Sequence, residues 1–191
     1  MRLPSALMLA AAGLSATSLH AQGVALGDPI PGFALTDTAT GQPVESSSLK
    51  PPVLVLFIAT QCPVSNAYNE RMATIGREYG KKGVTVVGVN SNRQESADEV
   101  AQHARTHGFS FPVLKDPKNV QADVFAAKVT PEAFLFDAKG KLAYHGRIDD
   151  NREGNAIKSP DLTQALDAVL SGKPAPTPET KAFGCTIKRV Q

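Results

Sequence analysis

Two kinds of apolar pattern alternate along this chain from residue 53 onward. Val53-Leu54-Val55-Leu56-Phe57-Ile58 is an unbroken apolar run that stops at the polar Thr60-Gln61. A run of this kind, rich in β-branched residues, reads as a strand buried on both faces. Directly after it Val64, Tyr68, Met72, Ile75 and Tyr79 recur at three- and four-residue steps, with Asn66, Glu70, Arg71 and Arg77 off that stripe. The spacing predicts one amphipathic helix from Pro63 to Tyr79. Pro63 suits the first helical position, where its missing N–H has no intrahelical partner anyway. Cys62 therefore falls between the end of a strand and the mouth of a helix, facing free backbone N–H groups.

Val84 to Val89 is a second apolar strand, so strand, helix and strand predict a parallel crossover with the two strands adjacent. Ser96 and Glu99 form a capping box that opens a helix running to Gly108. Phe109 to Leu114 reads as a short strand, and Asp116-Pro117 as the cap and first position of a short helix bearing Val120, Val124 and Phe125. Val129-Thr130-Pro131 leads into the apolar strand Ala133 to Phe136; Asp137 to Gly140 is a turn, and Leu142 to Ile148 returns as the second arm of a hairpin. A last helix begins near Ser159-Pro160-Asp161 and buries Leu162, Leu166, Val169 and Leu170. Residues 22–50, punctuated by Gly and Pro, predict irregular chain with a short hairpin. Pro174, Pro176 and Pro178 predict an extended tail. This order indicates an α/β fold, a central mixed β-sheet flanked by helices on both faces.

The first residues bear on compartment. Arg2 precedes the apolar-rich stretch Leu3 to Leu19, and small Ala21 follows, the layout of a secretory signal peptide cleaved after Ala21. The chain then divides into a signal peptide (1–21), a single folded domain (22–173) and an extended tail (174–191). Export to a periplasm or beyond the cell places the only two cysteines, Cys62 and Cys185, in an oxidising compartment, where an even pair invites a disulfide. Intramolecular pairing is expected ahead of pairing between the tails of two subunits, and counting leaves open whether such a bridge is static or redox-active. Charge excludes one class: 20 basic against 18 acidic residues, with no Lys/Arg run, imply neither a nucleic-acid nor an anionic-membrane partner.

The thiolate is the reactive form of cysteine, and a helix N-terminus lowers a thiol pKa; that makes Cys62 the candidate nucleophile. His103 and His107 have a metal-holding spacing, but Ala97, Val100, Ala101 and Ala104 form the inward stripe of their helix. The histidines are expected to face water, and no metal is assigned. Arg147, Asp149 and Asp150 read as a structural salt-bridge cluster at a strand end, ahead of the alternative that they line the site. Tyr68 lies on the buried stripe, with Arg71 beside it in reach of the sulfur.

A cysteine after the first core strand, a Thr-Pro before a later strand and a closing hairpin and helix together resemble the thioredoxin-like superfamily. More narrowly, T-Q-C-P-V-S-N-A-Y-N-E-R-M, V-N-S-N, T-P-E-A-F-L-F-D-A-K-G-K-L, H-G-R-I-D-D and G-C-T-I-K are similar to the peroxiredoxin-like branch of the alkyl hydroperoxide reductase / thiol-specific antioxidant (redoxin) family. The resemblance implies a thioredoxin-like fold, Cys62 as redox nucleophile and Pro131 as a cis-proline beside it. The backbone of Thr130 and Pro131 can then pair with an extended peptide as an added strand. No bound cofactor is implied. Thioredoxins carry a second cysteine three residues after the first, where this chain has Ser65; copper-delivering relatives carry one four residues on, where it has Asn66. Peroxiredoxins place a Thr three residues before their cysteine and an Arg at the cis-proline position; here these are Ala59 and Pro131, with Thr60 one position off and Arg147 in another strand. Cys185 is the remaining candidate for a resolving cysteine, similar to the tail cysteine of two-cysteine peroxiredoxins, the other reading being a permanent staple that holds the tail down. The expectation is an exported, thiol-dependent oxidoreductase acting on protein thiols or disulfides or small peroxides, with an external thiol reductant. Its alternatives are a thiol peroxidase and a non-catalytic binding module. The sequence does not fix the oligomeric state.

Overall fold

The computed structural model describes residues 23–190; the expected signal peptide, 1–21, lies outside the described residues. The sheet is built on β3 (Val53–Phe57), all of it buried. It pairs in parallel with β4 (Thr85–Asn90) and antiparallel with β7 (Glu132–Phe136). Beyond β4 lies the parallel β5 (Val113–Lys115), and beyond β7 its hairpin partner β8 (Leu142–Gly146). A short hairpin of β1 (Ala34–Asp37) and β2 (Pro43–Glu45) extends the β5 edge, giving the order β2-β1-β5-β4-β3-β7-β8. The mixed sheet is the one expected, with the hairpin of residues 22–50 recruited into it.

Because successive side chains of a strand point to opposite faces, the apolar run feeds two cores. Leu54, Leu56 and Ile58 pack with Met72 and Tyr79 of α2 (Asn69–Lys81), Val100 of α3 (Ala97–Thr106) and Leu162 and Leu166 of α5 (Asp161–Leu170). Val53, Val55 and Phe57 pack on the other side with Val87, Phe134 and Ala122 of the short α4 (Val120–Val124).

Two predicted helices differ from expectation. The single helix from Pro63 is split into α1 (Pro63–Ala67) and α2, broken at Tyr68 with φ −98° and ψ −2°. The break is held by side chains: the Tyr68 hydroxyl donates to Asp149 at 3.1 Å, and the Arg71 guanidinium donates to the Ala67 carbonyl at 3.0 Å. The helix after Asp116-Pro117 starts only at Val120, after Asn119 in the left-handed region (φ 59°). Asp116 still caps it from outside, accepting from the N–H groups of Gln121 and Ala122 at 3.1 and 3.0 Å. That register leaves Val120 and Val124 51% and 38% exposed and buries Phe125 alone of the three.

The tail is not a loose appendage. Its β9 (Cys185–Thr186) pairs antiparallel with β6 (Val129–Thr130). Phe183 packs against the first core and buried Ile187 enters the second, so the tail crosses from one core to the other with Cys185 between. Burying Ile187 contributes about 1.5–3 kcal/mol.

Phe134 is the hub of the second core. Its ring lies edge-on to Phe125 and Phe57 at 5.1 and 5.7 Å and stacks on His145 at 4.2 Å. Phe134→Ala is expected to lower unfolding stability by about 3–5 kcal/mol, read from urea denaturation.

Candidate active site

The site forms where β3 ends. Cys62 is the N-cap of α1, in extended conformation (φ −92°, ψ 115°), with Pro63 following in the first turn. The Ser65 N–H donates to Cys62 Sγ at 3.2 Å, so the sulfur occupies the place where a capping oxygen would sit. Ser65 is fully buried, and its hydroxyl accepts from the Ala59 N–H at 3.1 Å. At the position of a thioredoxin's second cysteine, this chain thus has a side chain that ties the turn to the end of the strand. Asn66 reaches back to the Thr60 carbonyl at 2.8 Å.

On the other side of the sulfur stands the Thr130–Pro131 peptide, which is cis. The Thr130 carbonyl oxygen is 3.4 Å from Cys62 Sγ. Cys185 completes the group: it is disulfide-bonded to Cys62 across 123 residues, with the Cα atoms 5.8 Å apart, within the usual range for a bridge. All four predicted site residues therefore meet at one point. Cys62 is buried at 3% exposure and Cys185 half-buried. The strand that Thr130 was expected to accept is present, and it is the chain's own: Thr130 is in register with Cys185 and Val129 with Thr186.

Two buried carboxylates that the sequence reading passed over hold this arrangement. Glu95, 1% exposed, accepts from the Thr60 and Gln61 N–H groups at 2.9 and 3.1 Å, and from the amides of Asn90 and Asn92. It fixes the two residues directly before Cys62. Glu132 follows Pro131; it accepts from the N–H groups of Lys128 and Val129 at 2.8 and 3.2 Å and meets His145 Nε2 at 2.7 Å. An acidic residue at the head of the apolar run Ala133 to Phe136 was the available signal, since a buried carboxylate needs partners. Glu95 lies in a polar stretch and gave none.

Other candidates lie elsewhere. Arg71 does not serve the sulfur: its guanidinium pairs with Asp149 at 2.7 Å, bonds the carbonyls of Asn151 and Arg152, and covers the Tyr68 ring at 3.7 Å. Burial and the Asp149 charge push the Tyr68 hydroxyl far above its ordinary range, so it stays protonated. Arg147, Asp149 and Asp150 do not pair with one another as that cluster implied: Arg147 pairs with Asp161 at 2.8 Å, Asp149 with Arg71, and Asp150 accepts from the Lys158 and Ser159 N–H groups. Thr60 donates its hydroxyl to Glu99. His107 is exposed, but His103 is half-buried, with its ring nitrogen 3.3 Å from the Asn69 amide oxygen. Burial, and then the neighbouring His107, lower its pKa.

Residues 26–145 match the AhpC/TSA family. The chain belongs to that family. It is 30% identical over 122 residues to the thiol-disulfide oxidoreductase ResA of Bacillus subtilis, covering 63% of this chain and 66% of ResA, a little under two thirds of that protein. It is 32% identical over 150 residues to the thioredoxin-like protein YneN of the same organism, covering 76% of this chain and 81% of YneN. In structure it is similar to a hypothetical protein of Sinorhizobium meliloti, with TM-score 0.81 and 34% identity over 88% of this chain and 97% of that one. The fold is thioredoxin-like, as the order of elements implied.

Glu95→Ala removes the acceptor of four N–H donors at once and is expected to cost about 3–5 kcal/mol in urea unfolding, with Glu95→Gln costing less. Glu99 carries a pH signature. The Thr60 hydroxyl is the largest cause of a pKa held below its ordinary 4.5. A depressed carboxyl stabilises the fold above its unfolded pKa and loses that contribution as pH falls through the folded value. The stability difference between wild type and Glu99→Gln should thus be present at pH 7 and shrink progressively in thermal melts below pH 4.5.

Proposed function

We propose that this protein is an exported thiol-disulfide oxidoreductase in which Cys62 and Cys185 are the redox couple, Cys62 the nucleophile and Cys185 the resolving thiol. The observation that carries the reading is the placement of the pair: one sulfur receives an N–H at the start of α1, the other is bonded to it beside the Thr130–Pro131 peptide. Family membership and the likeness to ResA support it. The signal-like residues 1–21 and a disulfide, which persists in oxidising compartments, support export.

The reaction balances as two exchanges. The Cys62 thiolate attacks one sulfur of a disulfide R–S–S–R, forming the Cys62–S–R bond and releasing one R–S⁻. The Cys185 thiolate then attacks Cys62 Sγ, closing Cys62–Cys185 and releasing the second R–S⁻. Two electrons pass from the protein dithiol to the substrate, and an external dithiol restores them by the reverse exchanges. The Ser65 N–H, aimed at Cys62 Sγ, favours that sulfur as both attacking and leaving thiolate. The Thr130 and Pro131 backbone positions the incoming sulfur.

The two rival readings have less to rest on. A peroxidase needs donors to polarise the peroxide, and here Ala59 and Pro131 occupy the family's peroxide-binding positions while the Thr60 hydroxyl is engaged by Glu99. A passive peptide-binding module would use the β6 edge, which β9 fills.

Reduced wild-type protein mixed with glutathione disulfide, quenched with acid and weighed by mass spectrometry, should pass through a transient glutathione adduct to the intramolecular disulfide. Cys185→Ser should accumulate the adduct on Cys62. Cys62→Ser should slow oxidation at least ~100-fold. Undiminished oxidation of Cys62→Ser, or no retained adduct on Cys185→Ser, would overturn the assignment.

A further inference from the structure

The disulfide is one of many contacts that hold the tail, and the others lie on both sides of it. Upstream, Thr180 is bound into the β8 edge. Its N–H donates to the His145 carbonyl at 3.0 Å, and its hydroxyl accepts from the Arg147 N–H at 3.0 Å and meets the Tyr144 hydroxyl at 2.7 Å. A Cβ on Gly146 would overlap Thr180. Phe183 stands edge-on to the buried Tyr68 ring, centroids 6.2 Å apart. Downstream, Ile187 is 3% exposed. Its N–H donates to the Lys128 carbonyl at 3.0 Å, the Lys188 N–H to Asn92 Oδ1 at 2.7 Å, and the Val190 N–H to Asn119 Oδ1 at 2.7 Å. Arg189 adds Asp123 and the Ala127 carbonyl, each at 2.8 Å.

We infer that residues 180–190 stay seated on β6 and β8 when the Cys62–Cys185 bond is reduced, so that they permanently close the Val129–Thr130 edge to extended peptides. The inference rests on the redox reading above and narrows its substrate class: compact thiols and disulfides that reach the sulfurs without adding a strand. An extended peptide docks by main-chain pairing along a free strand edge, and here that pairing is made by Cys185 and Thr186. Neither anchoring flank requires the sulfur–sulfur bond: Thr180 is held by hydroxyl and backbone groups, Ile187 by burial, Lys188 and Val190 by asparagine side chains. The fit at the edge is close, since a Cβ on Gly184 would overlap the Thr130 carbonyl. Asn92 links the two halves of the site, donating to Glu95, which holds the residues before Cys62, while accepting from Lys188 after Cys185.

Two measurements on the full chain test this. Amide hydrogen exchange at Thr180, Ile187, Lys188 and Val190 should slow or quicken by no more than ~10-fold between the oxidised and the dithiothreitol-reduced protein. A larger loss of protection on reduction overturns the inference. Second, reduced wild type should be oxidised by glutathione disulfide at least ~10-fold faster than by a mixed disulfide of glutathione with an unstructured peptide of about ten residues. Gly184→Ala, which unseats the tail from Thr130, should narrow that ratio, and Ile187→Ala should do so from the other flank. Equal rates in wild type, or an unchanged ratio in both variants, overturn the inference. Should neither disulfide oxidise the wild type, the redox reading fails instead, while the amide exchange still decides whether the tail stays seated.

Discussion

The structure depends on where β3 is allowed to end. A strand buried on both faces has to give up its ladder partners at some residue, and here it does so at a turn whose polar groups are satisfied one by one. Ser65 takes the Ala59 N–H, Glu95 takes those of Thr60 and Gln61, and Asn66 takes the Thr60 carbonyl. With those bonds made, the turn has little freedom and Cys62 is delivered to the start of α1 in one conformation. The sulfur then receives the Ser65 N–H, a donor that an α-helix leaves without an intrahelical acceptor. Burial of the strand and presentation of the sulfur are thus one requirement: the same hydrogen bonds that make the strand's end tolerable fix the position of Cys62 Sγ, the atom proposed to do the chemistry.

The opposite wall of the site is built by the same logic. The carbonyl of Thr130 faces the sulfur, and the two residues before Thr130 are pinned by the Glu132 carboxylate, itself braced by His145. Each wall has a buried carboxylate behind it that accepts backbone N–H groups rather than facing the two sulfurs. Charge-assisted bonds to backbone donors are among the stronger ones available to a protein. Their position suits groups that orient a site without competing with a thiolate in it.

The architecture was legible because its signals were local. The β3 run, the stripe of α2, the Ser96 cap of α3 and the Thr130-Pro131 step each carry their meaning within a few residues, and all appear at or near the places they imply. What the sequence hid was decided at long range. The break at Tyr68 depends on Asp149, about eighty positions on, and no periodicity in residues 63–79 encodes it. Asp116 caps α4 from three residues further away than its spacing with Pro117 implied, because Asn119 adopts a left-handed turn between them. Arg71 read as a neighbour of the sulfur because both sit near one helix, yet the loop at 149–152 offers it a carboxylate and two carbonyls. The seating of the tail was the least visible feature, since pairing of Val129–Thr130 with Cys185–Thr186 joins segments that nothing local connects.

That seating separates two uses of one disulfide. A bridge spanning 123 residues restricts the unfolded chain and stabilises the fold by about 5 kcal/mol in the chain-entropy model, and a staple needs nothing more. A staple is most useful where the segment it secures has few other contacts. Here the segment is bound into β8 before the cysteine and into the second core after it. On the inference drawn above, Cys185 is held opposite Cys62 by these contacts as well as by the bond. Holding a thiol beside its target raises its effective concentration far above that of any free thiol, which under the proposed cycle makes closure of the bond fast once Cys62 is derivatised. The contacts that secure the tail independently of the sulfurs are the ones that, on the proposed redox reading, fit the bridge for cycling.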